Sequence, residues 1–320
     1  MNKAKIKENL KYILRETNLS ELGKKKTGKV RDVYTKGDQL ILISTDRHSS
    51  FDRIIAHIPF KGQVLTQATL FWFEKTKDII QNHVLENPDP NVVIAKKCKV
   101  LPVEIVPRAY ITGVTGTSLW THYQNGQRDF GSFRLPNGIK KNQKLPKPVL
   151  TFTTKSDEHD EYITPKEIVA KGLIDKKLFK QIEETALKLF ARGQRIAKKQ
   201  GLILVDTKYE FGLDENSKLI LVDEIHTPDS SRFWFYKSYP ERFKKGLEPE
   251  YFDKEFLRLW FRENCDPYKD KILPKAPTDL IIEMSARYIK IYEQITGKKF
   301  KIDTKQNIKQ RIKKNLKKYV

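Results

Sequence analysis

Apolar positions along the chain change period several times, and each change predicts an element. In residues 201–224, GLILVDTKYEFGLDENSKLILVDE, the run Leu-Ile-Leu-Val occurs twice and each copy ends in an aspartate, Asp206 and Asp223. Continuous apolar runs bounded by turn residues read as buried strands. The polar stretch Asp214–Ser217 between them predicts an antiparallel hairpin. Asp175–Gln200 carries apolar residues at helical spacing and stops at Gly201, the residue type expected just past a helix. Residues 278–296 repeat that pattern before Gly297, and 253–263 and 303–319 also read as helices. Nearer the N-terminus, 5–18 predicts a short amphipathic helix, 28–46 two strands around Lys36-Gly37-Asp38, 62–84 a helix, and 92–106 extended chain. From Thr112 to Pro165 the sequence reads as a long irregular region whose aromatic residues, among them Trp120 and Phe152, argue for packed loops. Strands early and helices late predict an α+β fold rather than a regular βαβ array. A length of 320 residues suits two lobes with a cleft between them.

The net charge of +22 changes this picture only in part. Lysine and arginine in excess suit nucleic acid, but they equally attract small anionic substrates. Much of the excess lies in residues 298–320, where ten Lys or Arg face the single Asp303. That tail still spaces Ile308, Ile312 and Leu316 four apart, so a docked helix with a basic outer face accounts for it. No specific nucleic-acid partner is expected. Cys98 and Cys265 form no CxxC pair, and the six histidines show no ligand spacing, which disfavours a structural metal site. No apolar run approaches the roughly 18 residues of a membrane span. A soluble, cytoplasmic protein with no membrane partner is the expectation.

Three segments carry candidate chemistry. Gly23 to Lys29 matches GxxxxGK, but Val30 stands where a phosphate loop needs Ser or Thr for its metal. Strand-like sequence also follows it, which excludes that ATPase class while leaving a basic turn able to cover phosphates. A basic surface turn reads equally well there. In the predicted hairpin, Asp206, Lys208 and Glu210 share one face. A turn centred between Glu215 and Asn216 sets Asp223 opposite Lys208, bringing Lys208, Glu210 and Asp223 together within roughly 5–8 Å. Two carboxylates and a lysine suit Mg²⁺ and a polyphosphate; the bland alternative is a solvated salt-bridge ladder. Just beyond, Asp229-Ser230-Ser231-Arg232 packs acceptors, hydroxyls and a guanidinium into four residues, and Arg232 could hold a carboxylate or phosphate. An ordinary loop would look similar.

Seven ordered blocks make the chain resemble the SAICAR synthetase family: GKVRDVY (28–34), STDRHSSFD (44–52), GQVLTQATLFWF (62–73), LPVEIVPRAYITG (101–113), TFTTKSDEHDE (151–161), LVDTKYEFG (204–212) and VDEIHTPDSSRFW (222–234). The resemblance implies a kinase-like antiparallel nucleotide lobe, residues 1–104, over a larger α/β lobe, residues 105–320. It implies ATP-dependent ligation of L-aspartate to 5-amino-1-(5-phosphoribosyl)imidazole-4-carboxylate in purine biosynthesis, by way of an acyl phosphate, with ATP and Mg²⁺ as cofactors. By the same resemblance Gly28, Lys29, Val30 and Arg31 cover the ATP phosphates, and Val100–Glu104 lines the adenine and ribose side. Lys208 contacts phosphate, while Glu210 and Asp223 hold Mg²⁺. Arg108 and Arg232, joined by Asp229 and Ser230, bind the ribonucleotide. Lys155, His159 and Asp160 close over the substrates. His159 could serve as base for the aspartate ammonium, though a locally hydrogen-bonded loop histidine fits better. The sequence departs from the family pattern where Val114 follows Gly113, leaving Thr115, Thr117 or Ser118 as the hydroxyl donor. Small molecules are the expected partners of a monomer or homodimer. A kinase-type phosphotransferase lacks an HRD-like loop here, and an RNA-binding sheet would need aromatics interleaved with Lys and Arg.

Overall fold

The computed structural model describes residues 3–155, 161–252, 254–302 and 307–320, and His159 and Asp160 lie outside them. A first antiparallel sheet is built from β1 (Lys24–Thr27), β2 (Arg31–Lys36) and β3 (Gln39–Ser44). A separate ribbon follows, β4 (Arg47–Ser50) with β5 (Arg53–His57), and then β6 (Val84–Asp89) and β7 (Val92–Lys96) complete the first sheet in the order β1-β2-β3-β7-β6. The second sheet comprises β8 (Lys99–Tyr110), β9 (Lys144–Thr154), β10 (Tyr162–Ile163), β11 (Leu202–Thr207), β12 (Tyr209–Leu213), β13 (Leu219–Val222) and β14 (Ser231–Phe235). Its order is β10-β9-β8-β11-β14, with β12 on β8 and β13 on β12. The α+β fold is as the sequence predicts.

The helices are α1 (Lys3–Glu8), α2 (Lys61–Thr76), α3 (Leu119–Gln124), α4 (Pro165–Ala170), α5 (Lys176–Lys199), α6 (Tyr239–Lys244), α7 (Glu255–Asn264), α8 (Thr278–Thr296) and α9 (Ile308–Asn315). Asp175 caps α5 through Lys177 and Leu178, and its apolar stripe, including Phe179, Ile182, Leu189 and Phe190, packs on the second sheet. Helix α2 is apolar on more than one side because it is a wedge: Trp72 and Phe73 join that core, while Val64, Leu65 and Ala68 pack with α8 and the β4-β5 ribbon. The tail docks as its spacing predicts, with Ile308, Ile312 and Leu316 buried against Tyr34, Ile41 and Ile94 of the first sheet.

Three element predictions need correction. Helix α1 stops at Glu8, with a short 3-10 turn to Tyr12, because the Leu14 and Thr17 amides are drawn to Asp46 (2.8 Å) and Asp32 (2.7 Å) instead of to helical carbonyls. Helix α2 ends at Thr76, since the chain beyond it is captured by β13, where the Leu221 amide bonds the Gln81 carbonyl at 2.9 Å. The supposedly irregular 112–165 region holds strand β9, disguised by Pro146 and Pro148. The change of sheet falls between Lys96 and Lys99.

Candidate active site

Six segments converge on one cleft of about 970 Å³: the β1-β2 turn, the β4-β5 tip, the loop Val114–Thr117, Lys208 between β11 and β12, the loop Asp223–Ser230, and the run from Lys254 along α7 to Tyr268. Lys29, Val30 and Arg31 line it from above, and Gly28 lies in the same turn, its amide bonded to the Arg31 carbonyl at 2.8 Å. This is a hairpin turn entering a strand, as the failed phosphate-loop match predicts. Lys29 reaches Asp52 at 2.8 Å, and both are about half-exposed.

Lys208 sits where β11 gives way to β12, its amide bonded to the Ser230 carbonyl at 3.0 Å. Its ammonium bridges Glu104 (2.5 Å) on β8 and Glu210 (2.8 Å) on β12. Lys155 closes on the other oxygen of Glu210. Burial alone would lift Glu210, but the two ammonium groups outweigh it and hold the carboxyl down at about 2. Burial opposes the charge on Lys208 too, yet Glu210, Glu104 and Asp223 keep its pKa well above the ordinary lysine value. Of the expected adenine-side stretch, Val100 is exposed while Leu101 and Val103 turn into the core.

The hairpin register is one residue away from the sequence expectation. Glu210 pairs with Val222 because the turn spans Asp214–Lys218, its Asp214 carboxylate accepting from the Asn216 (3.0 Å) and Lys218 (2.9 Å) amides. In an ideal continuation Asp223 would then face away from Lys208. Instead Asp223 adopts the left-handed conformation (φ 63°), lines the cleft, and interacts electrostatically with both Lys208 and Glu210. Arg31 bonds it at 2.8 Å and also grips Glu224. Burial, reinforced by Glu210 and Glu224, still pushes Asp223 above the usual carboxylate range.

A side chamber of about 160 Å³ opens beside the cleft and holds Arg108, Asp206, Arg232 and Ser230. Asp206 on β11 pairs in register with Arg108 and Arg232 on its two neighbouring strands, at 3.1 Å and 2.6 Å. The two guanidinium groups therefore share one carboxylate. Thr115 and Thr117 line both cavities, whereas the Ser118 hydroxyl is used to cap α3. The structure thus joins Lys208, Asp223, Arg31, Asp229 and Ser230 around the main cleft, holds Glu210 behind it through Lys208, and sets Arg108 and Arg232 in the side chamber.

A SAICAR synthetase family model matches residues 24–275. The chain is 55% identical over 293 residues, 92% of its length and 94% of the relative, to a phosphoribosylaminoimidazole-succinocarboxamide synthase of Legionella pneumophila. The chain belongs to the SAICAR synthetase family. The SAICAR synthase of Saccharomyces cerevisiae, solved in complex with SAICAR, superposes with a TM-score of 0.78 at 33% identity, covering 90% of this chain and all of that one. A SAICAR synthetase solved with ADP gives 0.66 at 27% identity, covering 87% and 100%.

Several cleft residues of this chain escaped the sequence reading. Lys61 opens α2 fully buried and meets Asp229 at 2.7 Å; Lys254 lies 3.6 Å from the same oxygen, and Tyr288 of α8 donates to the other. Burial would raise Asp229, but Lys254 and Lys61 hold it far below the usual carboxylate range. Burial lowers Lys254 to about 8 although Asp229 opposes the shift. Lys61, between Phe60 and Gly62, gave no local signal. Arg258, which lines both cavities, could have been found from its four-residue spacing to Lys254 on a helix. Among the described residues no helix is long and apolar enough to cross a membrane.

Proposed function

We infer that this chain is the ligase that joins L-aspartate to 5-amino-1-(5-phosphoribosyl)imidazole-4-carboxylate, giving SAICAR, ADP and phosphate in purine biosynthesis. The observation that carries this reading is Lys208, fixed between Glu104 and Glu210 at the meeting point of a lysine- and arginine-bearing turn and a two-arginine chamber. A carboxylate conjugated to an imidazole resists amines, so it needs a better leaving group. In the proposed route a carboxylate oxygen attacks the γ-phosphorus of ATP and ADP departs. The aspartate amine then adds to the acyl phosphate carbon, loses a proton, and phosphate leaves.

The residues divide this labour. Lys29 and the Gly28–Arg31 backbone cover the phosphates, Val100–Glu104 flanks the nucleoside, and Lys208 meets charge on the transferring phosphoryl group. Arg108 and Arg232, with Thr115 or Thr117 as hydroxyl donor, take the ribonucleotide's anionic groups, and Asp229 and Ser230 stand at the passage between the two cavities. Lys155, with His159 and Asp160, belongs to the segment that would close over aspartate.

Mg²⁺ suits the donor set. Glu210 and Asp223 are hard oxygen donors, and Asp223 lines the cleft within electrostatic reach of Glu210 and Glu224. Among the described residues no cluster of three or more protein ligands stands ready, which fits an ion held by one or two carboxylates and by phosphate oxygens. When bound it would neutralise charge on the phosphates during transfer.

The lobe division is proposed at the strand change near residues 97–104, with α9 returning to the first lobe. A cytoplasmic enzyme, monomeric or homodimeric, completes the reading. Phosphate release from Mg·ATP, with each other substrate omitted in turn, tests it. Release that requires both, with the amide seen by mass spectrometry, is expected; a folded protein that turns over none of them would end the proposal.

A further inference from the structure

Asp223 and His226 both lie in the left-handed region, at φ 63° and 49°. Neither is glycine, and side chains rarely adopt that conformation unless the surroundings impose it. The segment between them carries Glu224, and Asp229 and Ser230 follow, so this strained stretch sets the acidic wall of the cleft.

His226 itself does not reach the cleft. It is fully buried behind it, sharing a hydrogen bond through Nε2 with the Tyr209 hydroxyl and meeting the Trp72 ring edge-on at a centroid distance of 4.7 Å. Room for the imidazole exists because α5 has a glycine at position 193. A methyl carbon there would stand 2.4 Å from His226 Cε1, 2.8 Å from its Nδ1 and 2.7 Å from Leu204 Cδ2. The ring is therefore seated in a notch whose floor is Gly193 and whose walls are Trp72 and Tyr209. From this seat the backbone turns outward on both sides. Upstream it presents Asp223 and Glu224 to Arg31; downstream the Thr227 hydroxyl donates to Glu224 at 2.7 Å and accepts from the Asp229 and Ser230 amides, each at 3.2 Å.

We propose that His226, seated in the Gly193 notch, is a positioning residue that fixes the left-handed Asp223 loop and so sets how the chain holds Mg²⁺ and nucleotide phosphate. This rests on the ligase reading for the role of Asp223, but the notch is independent of it. Overfilling a packed site forces its neighbours to move, so Gly193→Ala acts by unseating the ring, and His226→Ala removes the ring itself.

Both variants are expected to bind Mg·ADP about ten-fold more weakly by calorimetry and to need more Mg²⁺ for half-maximal turnover, as is usual when support behind a metal ligand is lost. Because Gly193→Ala acts on the Asp223 loop through the imidazole, it should weaken Mg·ADP no further in a His226→Ala background, where its remaining clash is with the flexible end of Leu204 and would register in stability alone. Tyr209→Phe, which deletes only the hydroxyl, should give a smaller shift in the same direction and serves if Gly193→Ala does not fold. Wild-type Mg·ADP affinity in folded single variants, or additive effects in the double variant, would overturn the proposal. Unaltered chain that binds Mg·ADP but makes no amide would count against the ligase reading alone, and the variants would still decide on the anchor.

Discussion

Two buried ion clusters in this molecule are built from similar parts and differ in one respect. At the edge of the first sheet, Arg311 of α9 grips both oxygens of Asp89 at 2.9 and 3.1 Å and reaches Asn91 at 2.7 Å, while Asn315 and the Asn91 amide fill the remaining acceptor positions on Asp89. One cation faces one anion and the set is closed. At the cleft, Lys61 and Lys254 share a single oxygen of Asp229, so those three groups carry a surplus positive charge beside a cavity. Arg108 and Arg232 repeat that imbalance around Asp206. Burial of charge alone does not mark function, since both kinds of cluster are buried. A surplus of one sign facing open space does, because only an incoming anion completes it.

Substitutions can break this contrast. Removing Arg311 as Arg311→Met leaves Asp89 buried without its cation and should cost about 3–5 kcal/mol of stability, read by chemical denaturation, with turnover per folded molecule unchanged. A large fall in kcat for that variant would erase the distinction between the two clusters. Lys208→Ala should shift the balance toward function, lowering kcat roughly a hundred- to a thousand-fold while costing less stability than Arg311→Met, because Glu210 keeps Lys155 and Glu104 keeps the Thr153 hydroxyl.

A pH profile sharpens the point further. Lys254, lowered to about 8, is charged below that pH and neutral above it. The surplus at Asp229 therefore disappears on the alkaline side, and KM for the anionic ribonucleotide should rise as pH passes through about 8. Lys254→Arg keeps its charge and should lose that limb; an unchanged limb would assign it to another group. The smallest effect belongs to an exposed pair: Lys245→Ala, which breaks the contact with Glu241 one helical turn away, should change stability by no more than about 0.5 kcal/mol.

What the sequence revealed follows the range over which each feature is encoded. Helices α5 and α8 carry their own periodicity and glycine stops, and Gly297 takes the left-handed conformation a helix end requires. The docking of α9 was legible from three apolar residues. The seven family blocks brought Lys208, Glu210 and Asp223 to one site even though the hairpin register slipped by one, because the backbone at Asp223 reverses the expected side-chain direction. Nothing local announces Lys61 with Asp229 or Arg311 with Asp89, partners 168 and 222 residues apart. Such pairs are chosen by the folded surface, where each carboxylate must find a cation or lose its charge. Strand β9 was missed for the opposite reason, since its prolines imitate a loop.

Helix α9 has one further consequence. It seals the face of the first sheet made by Tyr34, Ile41 and Ile94, so an early-synthesised layer stays open until residues near Leu316 have left the ribosome. A nascent chain halted before then would display those aliphatic strands to chaperones. The Gly28–Arg31 turn on that sheet, made early, would be among the last parts to become rigid.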